Sequence, residues 1–471
     1  MLCALAWFAY GDTLQLGMLG WDSWPLIAAA RITDGASLLG TFTEELMDGR
    51  YTDGHFYRPL TNLSVALDHL LWGLNPKGYH LTDLAICVLN AFLLGALVRR
   101  LCGPRFVVAG VVASVVFLLH PVQLNVLPVM PRRADTLAVL FTLATLLTWP
   151  RAEGRRWPAV LFAACAMLSK ESGIVVVPLV LALAGLRAQP DRRSALRATW
   201  PVLLATVLFL GARTLVLGGL GGHGGATLAL ARELAEPYLR LVLYPTASEQ
   251  NAELSALVAV TTIALGLAAA FVWRRPGTSA VSERADIRTT LGLLAVWFVV
   301  LHLVSSLAGR LHDWYALAYV APFAILVGIL IDRGIQLLRE REWGPAGMCV
   351  APALGVFALQ VSTSELVRTD YLWIDADAIT RDTLSRLQTT IRKSVPGTRV
   401  YLEDVVLFLP DRRSPDSGRG AAVLTDYSMQ AWCDLHVDAD VLIRILGTAP
   451  AAWSSETLMI ECIPGAPPLD E

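Results

Sequence analysis

Apolar runs of about 15 to 20 residues recur along most of this 471-residue chain, and they leave few folds open. Bilayer hydrocarbon offers no partner to backbone N–H and C=O groups, so a spanning chain must be helical or form a closed barrel. The runs lack the period-2 alternation of barrel strands. Charged residues make up 17% of the chain, against about 25% in soluble domains. The sequence therefore predicts an all-α polytopic membrane protein.

Short arginine-rich segments separate the apolar runs and indicate how the chain crosses the membrane. They lie at 98–105, 151–156, 187–193, 273–277 and 332–342. The positive-inside rule places all five in the cytoplasm, so the chain must cross twice between consecutive segments. About eleven spans follow, in a membrane domain over 1–361 whose large first loop, 20–79, faces outward. Asp12 ends the opening apolar run early, so we expect part of the first helix to precede Met1.

The apolar run from Trp157 to Leu186 carries two charges, Lys170 and Glu171, near its middle. Basic segments flank this run on one side of the membrane, so it must be a hairpin of two short helices with the charges at its apex. Each helix has about 12 to 16 residues of about 1.5 Å rise, which falls short of a hydrocarbon core of about 30 Å. The apex is therefore predicted to lie below the outer membrane surface, in a protein-lined or wet cavity.

Ionisable side chains collect on the outward side of the predicted bundle. The candidate site residues are Asp22, His55, Arg58, His120, Arg133, Asp135, Lys170, Glu171, Arg310, His312 and Tyr315. Single members have simpler explanations, such as an ion pair of Lys170 and Glu171 that closes the hairpin. As a set they indicate a functional path, because ionisable groups near lipid are costly. Guanidinium and ammonium groups beside an acid suit a phosphate-bearing substrate with a general base.

Several motifs then point to a known group of enzymes. The stretch YRPLTNLSVALDHLLWGLNPKGYHLTDLAICVLNAFLL, with HPV, RRADTLA and LSKESGI, resembles the membrane part of the transmembrane O-mannosyltransferases that carry tetratricopeptide repeats. It also resembles bacterial relatives in the GT-C class of polyprenyl-phosphate-dependent glycosyltransferases. The resemblance covers 15–185 well and 290–330 loosely. The matching positions are Asp22 for the first-loop acid, Arg58 for the YRPL arginine, Arg133 and Asp135 for the RxD pair, and Lys170 and Glu171 for the KE pair.

The resemblance implies a GT-C-like enzyme that takes one sugar from a lipid-linked phosphosugar, and it suggests a role for each residue. Asp22 is the expected general base for the acceptor hydroxyl. The expected ligands of the donor phosphate are Arg58, Arg133, Lys170 and Arg310. The expected supporting residues are His55, His120, Asp135, Glu171, His312 and Tyr315. No metal or other cofactor is predicted, since no carboxylate cluster has clear ligand spacing.

Two features depart from the family pattern. The family often has paired acids in the first loop, whereas WDSW has one, Asp22. No tetratricopeptide array follows the membrane region, so the resemblance says nothing of a protein acceptor.

The tail, 362–471, differs in character from the rest of the chain. An amphipathic helix is predicted in AITRDTLSRLQTTIRKSVPG, and strands in TRVYLEDVVLFL, DVLIRIL and TLMIECIP. These indicate a small α/β or α+β extracytoplasmic domain that binds an acceptor or partner, or only covers the mouth of the site. Cys433 and Cys462 are predicted to form a disulfide, because the bacterial periplasm is oxidising.

Together these features predict an integral-membrane glycosyltransferase of a bacterial inner membrane, with its site and tail facing the periplasm. Its expected partners are a polyprenyl-phosphate sugar donor, membrane lipids and an acceptor that is a glycan, a lipid or a protein. A net charge of −2 gives no indication of nucleic-acid binding. Two alternatives stay open: a transporter or flippase of a lipid-linked sugar, for which charges at the membrane midplane are expected, and a non-catalytic scaffold.

Overall fold

The computed structural model is mainly helical and ends in a small region of sheet. It describes residues 1–49, 55–150, 154–187, 193, 197–219, 221, 237–243, 252–275, 281–307, 312–363, 372–392, 398–410, 420–437, 441–448 and 459–463.

Helices follow one another along most of the chain. They are α1 (Leu2–Tyr10), α2 (Ser23–Ala29), α3 (Gly35–Thr43), α4 (Pro59–Trp72), α5 (Pro76–Cys102), α6 (Val107–Leu119), α7 (Gln123–Val126), α8 (Arg133–Thr148), α9 (Trp157–Ser169), α10 (Val176–Arg187), α11 (Trp200–Leu217), α12 (Ala252–Arg274), α13 (Val281–Leu307), α14 (Leu317–Arg339), α15 (Trp343–Thr363), α16 (Leu372–Ile391) and α17 (Asp426–His436).

Within the described residues, five helical segments are long and apolar enough to cross a membrane. They are Pro76–Cys102, Trp200–Leu217, Ser255–Arg274, Arg284–Ser306 and Asp313–Arg339. Large apolar side chains such as Leu204, Val207 and Leu208 of α11 are exposed, as expected of a surface that faces lipid. The structure thus supports a helical membrane protein, while the predicted total of about eleven spans stays a prediction.

The predicted helical hairpin is confirmed. Its two helices, α9 and α10, have 13 and 12 residues. Lys170 is in extended backbone and ends α9, and a short 3-10 turn over Glu171–Val175 leads into α10. A Cβ at Gly173 would collide with the Ala166 backbone, so glycine permits this tight reversal. About 13 residues rise only about 20 Å, so the hairpin is shorter than a hydrocarbon core.

Small residues let the central helices approach closely. A Cβ at Gly95 of α5 would lie 2.9 Å from the Gly110 carbonyl oxygen of α6. One at Gly328 of α14 would collide with the Ala109 backbone of α6. Close backbone approach at small residues is how helices pack in lipid, where water does not drive association. The helices α5, α6, α8, α9 and α14 form the centre of the bundle.

The tail contains helices and strands, as predicted. Its strands are β1 (Thr398–Glu403), β2 (Phe408–Pro410), β3 (Gly420–Ala422), β4 (Val441–Ile445) and β5 (Met459–Ile463). The main sheet has the order β4-β1-β5, with β1 parallel to β4 and antiparallel to β5, and β2 pairs with β3.

The predicted disulfide between Cys433 and Cys462 is not formed. Cys433 is a free, buried thiol on α17. This helix packs against β4, whereas Cys462 lies in β5, on the other side of β1.

The first loop, 20–79, and the tail share one hydrophobic core. Trp24 and Ile27 of the loop cluster with Trp373 and Met429 of the tail. The loop itself folds into α2, α3 and α4, and α4 exposes an apolar face that includes Leu67. The tail is therefore packed onto the loop that carries the candidate base.

Candidate active site

Glu171, at the hairpin apex, is held by two arginines from distant parts of the chain. Arg58 donates to its carboxylate from Nη2 at 2.8 Å and from Nε at 3.1 Å. Arg213, on α11, donates from Nη1 at 3.0 Å. Arg58 directly precedes Pro59, which begins α4, so the start of this helix fixes its position. The Glu171 side chain is 28% exposed, so one side of this group is open.

Lys170 points to a different partner from its neighbour Glu171. Its Nζ lies 2.6 Å from both carboxylate oxygens of Asp135. Asp135 is in the first turn of α8, where the helix dipole favours a negative charge. The Tyr315 ring supports the ammonium group, with Nζ 4.4 Å from the ring centroid. Lys170 is buried, and the two adjacent residues of the apex thus make three ion pairs with separate parts of the chain.

We refer to Arg58, Asp135, Lys170, Glu171 and Arg213 as the apex cluster. Three cations and two carboxylates leave it with one net positive charge. The surrounding protein screens charges less than water does, so an anion placed against the open side would be attracted.

Arg133 belongs to another network, and its predicted contact with the donor phosphate is not supported. It forms ion pairs with Asp68 at 2.6 Å and Asp83 at 2.5 Å. It also donates to the Tyr79 carbonyl oxygen at 3.1 Å. The side chain is fully buried between α4, α5 and α8, so it binds these helices together and offers no surface to a ligand. We refer to Arg133, Asp68 and Asp83 as the Arg133 network.

Asp22 lies outside the apex cluster, at the junction of the first loop and the tail. It is the residue before α2, and its Oδ1 accepts a hydrogen bond of 2.9 Å from the Tyr427 hydroxyl of the tail. The neighbouring Trp21 donates from Nε1 to the Leu407 carbonyl oxygen at 2.8 Å. Asp22 is partly exposed, so it remains accessible to a substrate.

Arg132 links the Asp22 side of the molecule to the apex cluster. Its turn, Met130–Arg132, packs against α2. The Arg132 guanidinium lies 3.8 Å from the centroid of the Trp314 ring and 5.2 Å from that of Trp373. Trp314 is in edge contact with Tyr315, which supports Lys170. A row of packed side chains thus leads from this turn, beside the helix that follows Asp22, to Tyr315 and Lys170.

The histidines predicted as supporting residues are dispersed. His120 is 1% exposed and its ring bonds backbone groups, which indicates a structural role. His55 is exposed and pairs with Glu45 at 2.7 Å. His312 stacks on Trp314, with ring centroids 4.3 Å apart, and so borders the row just described. Arg310 lies outside the described residues.

Arg213 was absent from the predicted site residues, and the structure places it in the apex cluster. An arginine near the end of an apolar helix is ordinarily read as reaching for lipid headgroups, and only the fold shows its carboxylate partner. Within the described residues, no group of three or more His, Cys, Asp or Glu side chains is arranged to hold a metal ion.

Comparisons with known proteins agree with the sequence motifs. No family model matches the chain. Protein O-mannosyl-transferase TMTC1 of Homo sapiens is 27% identical over 216 residues, which are 41% of this chain and 24% of that protein. Protein O-mannosyl-transferase Tmtc2 of Drosophila melanogaster is 28% identical over 236 residues, 46% of this chain and 25% of that protein. The chain thus spans about a quarter of the length of these relatives.

The fold has a counterpart among solved structures. ArnT from Cupriavidus metallidurans in the apo state superposes with a TM-score of 0.50 at 12% identity, over 94% of this chain and 88% of that one. At this identity the likeness concerns the fold alone, and ArnT is a GT-C glycosyltransferase. The chain therefore resembles the TMTC O-mannosyltransferases in sequence and the GT-C glycosyltransferases in fold.

Proposed function

We propose that this chain is a glycosyltransferase that moves one sugar from a polyprenyl-phosphate-linked donor to an acceptor on the extracytoplasmic side of the membrane. The apex cluster is the observation that carries this proposal. It combines a net positive charge with an open side at the end of a hairpin too short to span the hydrocarbon. The phosphate at the end of a lipid chain lies where the hydrocarbon meets water, so its binding site has to lie at that boundary.

The cations of the apex cluster suit the phosphate at each stage of the reaction. Arg58 is 14% exposed, and its guanidinium can donate to phosphate oxygens in competition with the Glu171 carboxylate. Lys170 adds a point charge behind it. A phosphodiester donor carries one negative charge, and the released polyprenyl phosphate gains a second. Cations that gain attraction as this charge develops stabilise the transition state more than the bound donor.

A cleft close to the first turn of α4 has the opposite charge. A cleft of about 390 Å³ is lined by residues that include Asn62, Asp34, Glu44, Glu45 and Asp48. Asn62 lies one turn along α4 from Arg58, and its N–H donates to the Arg58 carbonyl oxygen at 3.2 Å. Carboxylates repel a phosphate, so the donor headgroup is expected on the apex-cluster side.

Asp22 is proposed as the general base. The acceptor hydroxyl attacks the anomeric carbon, its proton passes to the Asp22 carboxylate, and the bond between that carbon and the phosphate oxygen breaks. The phosphate departs with the electron pair of that bond, held by the apex cluster. In this arrangement the sugar must lie between the Asp22 carboxylate and the apex cluster.

The side of the membrane on which transfer occurs is inferred from the topology. The arginine-rich segments face the cytoplasm by the positive-inside rule, which puts the hairpin apex, the first loop and the tail outside. For a bacterial inner membrane this side is the periplasm.

The test is transfer from a radiolabelled polyprenyl-phosphate sugar to membrane acceptors by the purified protein. Asp22→Asn keeps the shape of the side chain and removes the base, so turnover should fall about 10²–10⁴-fold with little change in donor affinity. Near-normal transfer by a variant with unchanged melting behaviour would reject Asp22 as the base, and the absence of transfer by the wild type from every donor tried would reject the function.

A further inference from the structure

The tail reaches the candidate base with one specific side chain. The Tyr427 hydroxyl donates to Asp22 Oδ1 at 2.9 Å across 405 residues of sequence. We propose that Tyr427 is a positioning residue for Asp22, so that the tail completes the catalytic unit of this enzyme. The inference rests on the proposed function. It gives the tail a part in catalysis, instead of a role that is limited to covering the site.

The helix that carries Tyr427 is firmly placed. Thr425 and Ser428 form a capping box at the start of α17, which fixes the backbone around Tyr427. Farther along, the Trp432 ring stacks on His436, with centroids 4.6 Å apart. Burial lowers the pKa of His436, although its bond to the Trp432 carbonyl oxygen acts in the opposite direction.

The first loop receives α17 over a matching surface. The ring of Trp24, two residues after Asp22, meets His436 edge-on at 5.1 Å between centroids. Both α2 and α17 contribute to the shared core of loop and tail. Tyr427 and Asp22 are thus brought together by two packed helices, and their hydrogen bond does not depend on a mobile surface side chain.

A second set of contacts holds the residues that precede Asp22. Trp21 Nε1 donates to the Leu407 carbonyl oxygen at 2.8 Å. Gly17 donates its backbone N–H to Asp377 of α16 at 2.7 Å. The tail therefore fixes the backbone just before Asp22 and also the carboxylate itself.

The chemistry of the pair fits a positioning role. A phenol donating to a carboxylate favours the ionised form and fixes its rotation. A carboxylate has about four lone-pair sites, so one bond from Tyr427 does not saturate it as a base. Both side chains are partly exposed, so an acceptor hydroxyl can approach the carboxylate.

The experiment compares Tyr427→Phe, Asp22→Asn and the double variant in full-length protein in detergent or nanodiscs. Tyr427→Phe removes one oxygen and should lower kcat about tenfold, with the KM for the lipid-linked donor changed less than twofold. In the Asp22→Asn background the same substitution should cause no further loss of kcat, because Tyr427 acts only through Asp22. Tyr401→Phe, on β1 of the same domain, is the matched control and should leave kcat unchanged.

Each result has a distinct meaning. A normal kcat for Tyr427→Phe, or equal losses in the wild-type and Asp22→Asn backgrounds, would overturn the positioning role and leave Asp22 as the base. Normal transfer by Asp22→Asn would overturn the base itself and with it this inference. If Tyr427→Phe lowers the melting temperature, the comparison in the Asp22→Asn background still decides, because a structural loss would lower kcat there too.

Discussion

Two networks of ion pairs lie close together in this protein, and they differ in charge balance and exposure. In the Arg133 network one arginine is fully buried between two aspartates, which leaves an excess of negative charge. In the apex cluster three cations outnumber two carboxylates, and Glu171 is 28% exposed. The Arg133 network therefore cannot bind an anion, whereas the apex cluster has the positive charge and the exposed side that anion binding requires.

The role of an arginine in a sequence motif depends on the partners that the fold gives it. Arg133 and Asp135 are two residues apart, yet Arg133 is in the closed network and Asp135 pairs with Lys170 in the open one. Successive residues of a helix point in different directions, so one short motif can place a structural side chain on one face and a functional side chain on another.

The largest effect is expected from Arg133→Met. It would leave Asp68 and Asp83 buried without their cation, and breaking a buried ion pair from one side costs about 3–5 kcal/mol. We expect a large loss of thermal stability or of folded protein, measured by fluorescence-detected size exclusion during heating. Any folded fraction should bind undecaprenyl phosphate with wild-type affinity, and selective loss of that binding at unchanged stability would assign Arg133 to the donor site after all.

Arg58→Met should show the converse behaviour. Glu171 keeps its bond to Arg213 and is partly exposed, so stability should fall much less than in Arg133→Met. Affinity for undecaprenyl phosphate should fall about 10–100-fold, because a bond to a charged group is lost. Arg58→Lys keeps the charge but loses the fork, so titration of this variant should give an intermediate affinity.

Glu171→Gln should raise the affinity for the phosphate. The formal charge of the apex cluster increases by one, and a carboxylate that competes for Arg58 and Arg213 is removed. For a partly exposed group we expect undecaprenyl phosphate to bind about threefold more tightly. The gain should shrink in high salt, and weaker binding would show that Glu171 orients the arginines more than it competes with the phosphate.

Tyr315→Leu should have the smallest effect. It removes the ring beneath Lys170, and such a contact contributes about 0.5–1 kcal/mol. The melting temperature should fall slightly and donor affinity should change less than twofold. Tyr315→Phe keeps the ring and is the matched control, so a loss in this variant would indicate a role for the hydroxyl.

The sequence allowed the hairpin, its charged apex and the helix-and-strand tail to be predicted. Basic segments on both sides of Trp157–Leu186 required two crossings, and the lysine and glutamate could lie only between them. Such local patterns can be predicted because each depends on a single segment and its surroundings, and not on contacts with distant parts of the chain.

Long-range pairing could not be predicted. Arg213 meets Glu171 across 42 residues, and Tyr427 meets Asp22 across 405. Helix α17 was missed as well, although Thr425 and Ser428 form its capping box, because the segment is short and its partners α2 and β4 are distant in the sequence or come after it. The incorrect disulfide has the same origin, since spacing alone does not place Cys433 and β5 on opposite sides of β1.

The central claim is that the apex cluster binds the phosphate of the lipid donor. It is tested most directly by native mass spectrometry of wild type, Arg58→Met and Arg31→Met with undecaprenyl phosphate and undecaprenol. Arg31 is an exposed arginine near the acidic cleft, so Arg31→Met controls for a general loss of positive charge. We expect wild type and Arg31→Met to prefer the phosphate lipid by about tenfold or more, and Arg58→Met to lose this preference. Equal binding of both lipids by the wild type, or an unchanged preference in Arg58→Met, would show that the apex cluster does not bind the phosphate.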